Sequence, residues 1–205
     1  MNYNPFSLKG KTILVTGASS GIGKTVAIEC SRMGAIIIVT GRNSERLQGT
    51  FHQLYPNEEH LMKVADLSIK DELDSLVEGL PKIDGVVNCA AILKKLPLKF
   101  INEKAWEETL ETNLIAPALL SQRLIKKNKI NNAASIVFIS SIASSVASFG
   151  NISYMASKGA INSLSRGMAL ELASKGIRVN TIQPALIKTK LTEKLFSQIE
   201  YTDKI

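Results

Sequence analysis

Strand-like and helix-like segments alternate along the chain, and this alternation constrains the fold more than any other feature of the sequence. The predicted strands are short apolar runs, and the run 35–40 consists almost entirely of Ile and Val. Such a run is typical of a strand buried on both faces of a parallel sheet. The segments between the runs have helical length and spacing. The pattern therefore predicts an α/β protein with a doubly wound parallel sheet and helices on both faces, in three layers.

The pattern gives approximate bounds for each element. The strands are predicted at 12–16, 35–40, 61–65, 85–88, 135–140 and 178–182. The helices are predicted at 21–33, 43–54, 68–80, 103–127 and 153–174. Ser68 is expected to cap the third helix and Pro117 to kink the fourth. Because ligands of such sheets bind beyond the carboxyl ends of the strands, we expect the functional residues there.

Size and composition predict one globular domain over residues 1–205. Hydrophobic residues make up 45% and charged residues 21% of the chain, which allows a large buried core. No apolar run approaches the roughly 20 residues of a membrane span, and the N-terminus lacks the layout of a secretory signal. The sequence therefore predicts a cytoplasmic protein that does not contact a membrane.

The net charge is +7, and one group of cations is unusually dense. No aromatic residue interleaves with this group, so we interpret it as a solvated helix end and expect no nucleic-acid binding. An acidic substrate or partner, or a phosphate-rich cofactor, is compatible with the excess positive charge. The group consists of Arg123, Lys126, Lys127 and Lys129.

The cysteines and histidines predict no metal site. Cys30 and Cys89 lie in apolar surroundings without a CxxC pair, so we expect buried, reduced thiols. His52 and His60, the only histidines, lie in a polar stretch. This set lacks the number and spacing of ligands that are typical of zinc.

A glycine-rich turn follows the first strand, where residues 16–23 read Thr-Gly-Ala-Ser-Ser-Gly-Ile-Gly. Glycine lets a backbone approach a pyrophosphate, and the N–H groups that begin the next helix point at the phosphates. Ser19 and Ser20 add hydroxyl donors. The spacing differs from the commoner Gly-x-Gly-x-x-Gly, but its place between strand and helix predicts a dinucleotide site. The alternative is a tight turn that binds no ligand.

The end of the second strand indicates which dinucleotide is bound. NAD would need an acidic residue for its ribose 2′-hydroxyl, whereas this chain has Gly41 followed by Arg42. A guanidinium pairs with phosphate in a planar fork, so we predict NADP(H) in preference to NAD(H). The alternative is a surface arginine at the start of a helix. Asp66, after the third strand, is a candidate acceptor for the adenine amino group or a turn residue, and Asn88 is expected to tie neighbouring strand ends together.

Three residues beyond the fifth strand have the chemistry of carbonyl reduction. Ser141 follows the strand, and Tyr154 and Lys158 are four residues apart, so they share one helix face. A carbonyl that accepts hydride needs a proton on its oxygen, and a free tyrosine with a pKa of about 10 exchanges one poorly at neutral pH. Lys158 and an oxidised nicotinamide are expected to lower that pKa, while Ser141 hydrogen-bonds the substrate oxygen. The alternative is an ordinary amphipathic surface helix.

These residues resemble the classical short-chain dehydrogenases/reductases over nearly the whole chain, from about 10–189. The turn 16–23 is similar to the family's glycine-rich motif, and Asn-Cys-Ala-Ala at 88–91 is similar to its Asn-Asn-Ala-Gly motif. The serine, tyrosine and lysine above match its catalytic triad. The stretch 149–160 is most similar to 3-oxoacyl-carrier-protein reductases. The resemblance implies an oxidoreductase that interconverts a carbonyl and a secondary alcohol, on a small molecule or on a group carried by acyl carrier protein.

The resemblance also implies roles for two residues that the motifs above do not include. Asn113 stands where the family has a helix asparagine that holds a water linking the active-site lysine to a proton relay. Thr189 stands where a threonine binds the nicotinamide carboxamide. The cofactor contacts that the resemblance implies are Gly17, Ser19, Ser20, Gly21, Ile22, Gly23, Arg42, Asp66, Leu67, Asn88, Ala90, Tyr154, Lys158 and Thr189.

The helix 153–174 predicts that the protein associates with itself. It is apolar or small on most of its circumference, and one sheet can cover only one face, so a second subunit is the simplest cover for the rest. The resemblance agrees, since it implies a homodimer or homotetramer paired through the two long helices. The alternative is a monomer whose tail covers this face. The apolar stripe is Ile161, Leu164, Met168 and Leu172, and the small or apolar remainder is Met155, Ala156, Ala160, Ala169 and Ala173.

Two positions and the chain end depart from the family pattern. Ala91 and Ala185 stand where the family usually has glycine, so each is expected to crowd the nicotinamide or restrict a loop. The sequence stops at Ile205, before the seventh strand that family members commonly have, and truncation is the favoured interpretation because every catalytic position is present. Two other functional classes stay open: a non-catalytic, redox-sensing dinucleotide-binding protein, and a structural or carrier-docking subunit.

Overall fold

The structure is a computed structural model that describes residues 4–57 and 59–193. Within these ranges, six strands form one sheet in the order β3-β2-β1-β4-β5-β6, and every neighbouring pair is parallel. The predicted doubly wound fold is therefore confirmed. The strands are β1 Thr12–Thr16, β2 Ile36–Gly41, β3 Leu61–Val64, β4 Ile83–Asn88, β5 Ile130–Ile139 and β6 Arg178–Ile182.

The helices lie on both faces of the sheet because each strand presents apolar side chains to both sides. In β1, Leu14 belongs to one core cluster, while its neighbours Ile13 and Val15 belong to the cluster on the opposite face. This follows from the alternation of side chains along a strand. The helices are α1 Gly21–Arg32, α2 Ser44–Phe51, α3 Lys70–Glu78, α4 Glu103–Leu110, α5 Ala116–Lys126 and α6 Ile152–Leu172.

The strand order reverses between β1 and β4, which makes a crevice at their carboxyl ends. Thr16, the last residue of β1, spans this crevice. Its hydroxyl oxygen accepts hydrogen bonds from the backbone N–H groups of Cys89 at 3.1 Å and Ala90 at 3.2 Å. The crevice is therefore held in shape by a side chain at the position where a doubly wound sheet binds its ligand.

The predicted long helix 103–127 is interrupted rather than simply kinked. Between α4 and α5 the chain makes a π-helical turn, Glu111–Ile115, in which the Ala116 N–H donates to the Glu111 carbonyl. Pro117 follows at once, and a proline clashes with the carbonyl four residues earlier and cannot donate to it. Widening the preceding turn relieves that clash. The interruption thus has the predicted cause, but it lies before the proline.

Two other local predictions were wrong. Ser68 does not cap α3, whose N-cap residue is Ile69; the Ser68 hydroxyl instead donates to the Asp66 carboxylate at 2.6 Å. β5 begins at Ile130 rather than at residue 135, because Ile130 pairs with Ile83 across an irregularity in the β4–β5 register. The polar residues Asn131 and Asn132 within this irregular stretch break the apolar pattern on which the prediction relied.

The dense group of cations joins two helices of the same chain. Arg123 forms an ion pair with Asp74 and Lys127 with Glu78, both on α3. Lys129 donates to the backbone carbonyl of Leu80 at 2.6 Å. The Arg123 side chain is only 12% exposed. The interpretation as a solvated helix end is therefore corrected: the group attaches α5 and the following turn to α3.

Neither cysteine is paired, and both are half-buried where buried thiols were predicted. Burial raises the pKa of the Cys30 thiol, and it raises that of Cys89 to about 12. Both thiols are thus protonated at neutral pH. Across the described part of the chain, no three His, Cys, Asp or Glu side chains are grouped as metal ligands, and no helix there has the length and hydropathy of a membrane span.

Candidate active site

The glycine-rich turn packs so tightly that two of its glycines cannot carry a side chain. A Cβ on Gly23 would lie 2.5 Å from the Gly17 carbonyl oxygen, and one on Gly17 would lie 2.7 Å from the Ala90 nitrogen. Gly17 also has a φ of +62°, which other residues rarely adopt. The turn therefore brings the start of α1 directly against the ends of β1 and β4, with backbone N–H groups facing the crevice.

One pocket runs along the carboxyl edge of the sheet from β3 to α6, with a volume of about 420 Å³. It brings together most of the residues that the sequence singled out, although they come from distant parts of the chain. Asn88 and Asn113 lie outside its wall. The predicted residues that line the pocket are Gly17, Ser19, Ser20, Gly21, Ile22, Gly23, Arg42, Asp66, Leu67, Ala90, Ser141, Tyr154, Lys158 and Thr189.

Two arginines lie at the β2–β3 end of this pocket. Arg42 is 3.4 Å from the Asp66 carboxylate, and its side chain is 59% exposed. Arg46, in the first turn of α2, lines the same end and was missed because it follows the strand end by several residues. Burial alone would raise the pKa of Asp66, but hydrogen bonds from Ser68 and the charge of Arg42 hold it below its usual value. This end of the pocket therefore offers cations and one ionised carboxylate.

Asn88 does not tie the strand ends together as predicted. Its side chain is 5% exposed, and neither its amide nitrogen nor its amide oxygen has a hydrogen-bond partner in the described structure. The tie is made instead by the Thr16 hydroxyl, which reaches the backbone just beyond Asn88. The sequence could not distinguish the two because both residues end neighbouring strands.

Ser141 and Tyr154 meet at the other end of the pocket. Ser141 is the N-cap of the short 3₁₀ helix Ile142–Ser144, and its side-chain oxygen accepts from the Ala143 N–H at 3.1 Å. Burial raises the pKa of Tyr154, and a hydrogen bond with Ser141 only partly opposes this. In the chain without cofactor, burial dominates and the Tyr154 pKa is raised; the lowering expected from Lys158 together with an oxidised nicotinamide stays a prediction.

In the chain without cofactor, the Lys158 ammonium group makes its hydrogen bond to the backbone and not to the Tyr154 phenol. Its Nζ lies 5.5 Å from the centre of the Tyr154 ring and donates a hydrogen bond to the Ile139 carbonyl at 2.7 Å. The residue is 4% exposed, and burial lowers the pKa of Lys158 to about 8. The helix thus places phenol and ammonium on one face, as their spacing predicts, while the ammonium bonds to the end of β5.

Asn113 lies on the π-helical turn, behind the pocket wall, and is 2% exposed. Its side-chain oxygen accepts from the Ile92 N–H at 2.8 Å, and its side-chain nitrogen donates to the Ile92 carbonyl at 3.0 Å. Ile92 lines the pocket. Asn113 therefore fixes the backbone that follows β4 through a reciprocal pair of hydrogen bonds.

The loop after β6 covers the glycine-rich turn. A Cβ on Gly21 would lie 3.3 Å from Thr189 Cβ, so this glycine leaves room for the loop. The hydroxyl groups of Thr189 and Thr192 are 3.1 Å apart. Ala91 and Ala185, the two departures from the family pattern, both line the pocket. Residues of this loop therefore line the pocket beside the glycine-rich turn.

Comparison with known proteins agrees with this arrangement. Residues 11–200 match the family described as short chain dehydrogenase. The 3-oxoacyl-[acyl-carrier-protein] reductase FabG of Rickettsia bellii is 34% identical over 189 residues, which cover 92% of this chain and 77% of the relative. Gluconate 5-dehydrogenase of Gluconobacter oxydans is 33% identical, with 97% of this chain and 79% of the relative covered.

Solved structures have the same fold. The Pseudomonas aeruginosa RhlG/NADP active-site complex superposes with a TM-score of 0.88 at 28% identity, covering 95% of this chain and 80% of that one. A short-chain glucose/ribitol dehydrogenase from Brucella melitensis also has a TM-score of 0.88, at 30% identity, covering 94% and 79%. Sequence, sheet order and pocket agree, and the chain belongs to the short-chain dehydrogenase/reductase family.

Proposed function

We propose that this protein is an NADP(H)-dependent oxidoreductase that reduces a carbonyl to a secondary alcohol, or runs the reverse reaction. One observation carries the proposal: a single pocket joins the glycine-rich turn and Arg42 to Ser141, Tyr154 and Lys158. The relatives support it, since those named above are reductases or dehydrogenases and one solved relative is an NADP complex. The proposed substrate is a small molecule or a group carried on acyl carrier protein.

The pocket has the features that the dinucleotide needs. The glycines that cannot carry a Cβ leave the start of α1 open to a pyrophosphate. Arg42 and Arg46 would hold a 2′-phosphate, and Asp66 the adenine amino group. Thr189, which lines the same pocket, would bind the nicotinamide carboxamide. When bound, the cofactor supplies the hydride.

Tyr154 is proposed as the general acid and base. Because burial raises its pKa, the phenol holds its proton at neutral pH and can donate it to the carbonyl oxygen as negative charge develops there. The Ser141 hydroxyl, whose single proton is directed at the phenol in the absence of substrate, would turn to donate it to the substrate oxygen, alongside the hydrogen bond from Tyr154. In alcohol oxidation the proton returns along the same path.

Lys158 and Asn113 are proposed to support that proton transfer. A tyrosinate formed in the step would be stabilised by the buried ammonium, which lies on the same helix face. Pro117 has no N–H to donate to the Asn113 carbonyl four residues earlier, and that carbonyl is proposed as an acceptor for the relay. This acceptor would hold the water through which the lysine is connected to a proton relay.

Replacing Arg42 is expected to weaken NADPH binding selectively. Arg42→Ala removes a charge-assisted contact with the 2′-phosphate, which costs roughly 1.5–3 kcal/mol, or about ten- to a hundredfold in NADPH affinity. NADH affinity should not change. Calorimetric titration of both cofactors measures the effect. Arg32→Ala is the matched control, since Arg32 is equally exposed at 59% and also ion-paired, but lies at the far end of α1. Equal wild-type affinities for NADPH and NADH would refute the assignment.

Self-association through α5 and α6 is the second expected result. Ile161 and Leu172 of α6 are buried against the sheet, whereas Leu170 is 80% exposed. A Cβ added at Gly159 or Gly167 would meet nothing within 4 Å, so the outer face of α6 has room for another helix. We expect light scattering at micromolar concentration to give the mass of a dimer or tetramer. A monomer mass would exclude the pairing.

The non-catalytic alternative is separated from the enzyme by one experiment. A redox-sensing protein would bind NADPH but would not consume it with any member of a panel of ketones. A structural or carrier-docking subunit would do neither. The meeting of Ser141 and Tyr154 with the buried Lys158 in one pocket favours the enzyme, because a sensor has no need of a proton donor beside a buried ammonium.

A further inference from the structure

Ser157 is a buried residue to which the proposed mechanism assigns no role, although it lies between Tyr154 and Lys158 on α6. It is 0% exposed. Its hydroxyl donates to the Tyr154 carbonyl at 2.7 Å and accepts from the Asn113 side-chain nitrogen at 3.1 Å. In an α-helix the Tyr154 carbonyl is also the acceptor for the Lys158 N–H. The hydroxyl is thus bonded to the turn that carries the proposed acid and its ammonium.

The hydrogen bond from Asn113 connects three separate parts of the chain. The Asn113 amide has two N–H donors, one of which goes to the Ile92 carbonyl and the other to Ser157. Its oxygen accepts from the Ile92 N–H. The π-helical turn, the backbone after β4 and helix α6 therefore meet at one asparagine and one serine. Both side chains are fully used, so neither can turn without leaving a buried polar group unpaired.

We propose that Ser157 is a positioning residue that sets the placement of Asn113 and the π-helical turn relative to Tyr154 and Lys158. This inference rests on the function proposed above. The serine does not itself line the pocket, so it acts through the asparagine and not on the substrate. Displacing a proton donor or its support by about 1 Å can cost a hundredfold in rate.

The same helix provides a matched control. Ser165 is also buried, at 5% exposure, and its hydroxyl also donates to a carbonyl three residues earlier, that of Asn162, at 3.0 Å. Among the described residues, it forms no hydrogen bond with the π-helical turn. Ser157→Ala and Ser165→Ala therefore remove the same local hydrogen bond, but only the first also removes the contact with Asn113.

The test measures kcat per NADPH-binding site, so that misfolded protein does not count. Ser157→Ala should lower kcat by about ten- to a hundredfold and shift the pH dependence of kcat, with the NADPH dissociation constant unchanged. Ser165→Ala should leave both at wild-type values. In an Asn113→Ala background, adding Ser157→Ala should cost nothing further in kcat, because the serine acts through the asparagine.

Two results would overturn the inference: Ser157→Ala behaving like Ser165→Ala, or the two single losses in kcat multiplying in the double variant. Failure of the inference is separable from failure of the proposed function. If Tyr154→Phe abolishes turnover while Ser157→Ala leaves it intact, only the positioning role is lost. If Tyr154→Phe remains active, the proposed chemistry itself is wrong.

Discussion

Tyr154→Phe is expected to lower kcat for carbonyl reduction by about 10²–10⁴-fold, while NADPH binds with unchanged affinity. The phenyl ring fills the same space in the pocket, but it has no proton to give to the carbonyl oxygen. Because the Tyr154 pKa is raised by burial, the wild-type phenol holds that proton throughout the neutral range, and removing it removes the donor completely. Stopped-flow measurement of NADPH consumption with an active ketone checks the rate.

The matched control for this variant is Tyr55→Phe. Tyr55 is 62% exposed, lies outside the pocket, and forms hydrogen bonds with other described residues only through its backbone. Its hydroxyl should therefore be dispensable for both cofactor binding and turnover. A Tyr154→Phe protein with near-normal kcat would show that another group supplies the proton, and the assignment of the general acid would have to be abandoned.

Lys158→Met is expected to produce a cofactor-free protein that is more stable at pH 7 and inactive. Lowering the lysine pKa from its ordinary 10.5 to about 8 corresponds to a cost of about 3 kcal/mol for burying the charge. Loss of the hydrogen bond to the Ile139 carbonyl offsets about 1 kcal/mol of that gain. The free energy of unfolding should thus rise by about 2 kcal/mol.

The pH dependence of this gain has a definite sign. Between pH 8 and 10.5 the lysine of the folded wild type loses its proton while that of the unfolded chain keeps it, so the wild type regains stability as pH rises. The difference in the free energy of unfolding between wild type and Lys158→Met should therefore be constant below pH 8 and shrink as the pH rises toward 10.5. Urea unfolding at several pH values measures it, with Lys82→Met, which replaces an exposed lysine, as control. A variant less stable than wild type at pH 7 would contradict the prediction.

Element type and order followed from the sequence because they depend on local patterns. The bounds of β1 and β6 were predicted to the residue, and each remaining strand or helix within a few residues, except β5 and the interrupted helix. In β5, a register irregularity is decided by pairing with β4, which no local pattern records. The interruption at Glu111–Ile115 was foreseen as a kink because proline excludes a regular helix, but the form of the distortion depends on what packs around it.

Residues of the candidate site could be found in the sequence where strand ends and helix periodicity bring them together. Arg42, Ser141, Tyr154 and Lys158 are of this kind, since each follows a strand or shares a helix face. Ser157 could not be found in this way. A serine on a helix can have many roles, and only its hydrogen bond with Asn113, 44 residues away, distinguishes Ser157 from the other serines of the helix.

By itself, the sequence determined the alternation of strands and helices, the glycine-rich turn and the chemical set that meets at the carboxyl edge of the sheet. These depend on short-range spacing and on residue chemistry. The tertiary structure decided which atoms are partners and which charges are favoured. The cation group forms ion pairs with α3, and the Asn88 side-chain amide has no hydrogen-bond partner among the described residues. The Lys158 ammonium donates a hydrogen bond to the Ile139 carbonyl. The tertiary structure also raised the Tyr154 pKa in the chain without cofactor, because burial is a property of packing and not of spacing, while the lowering expected with an oxidised nicotinamide bound stays a prediction.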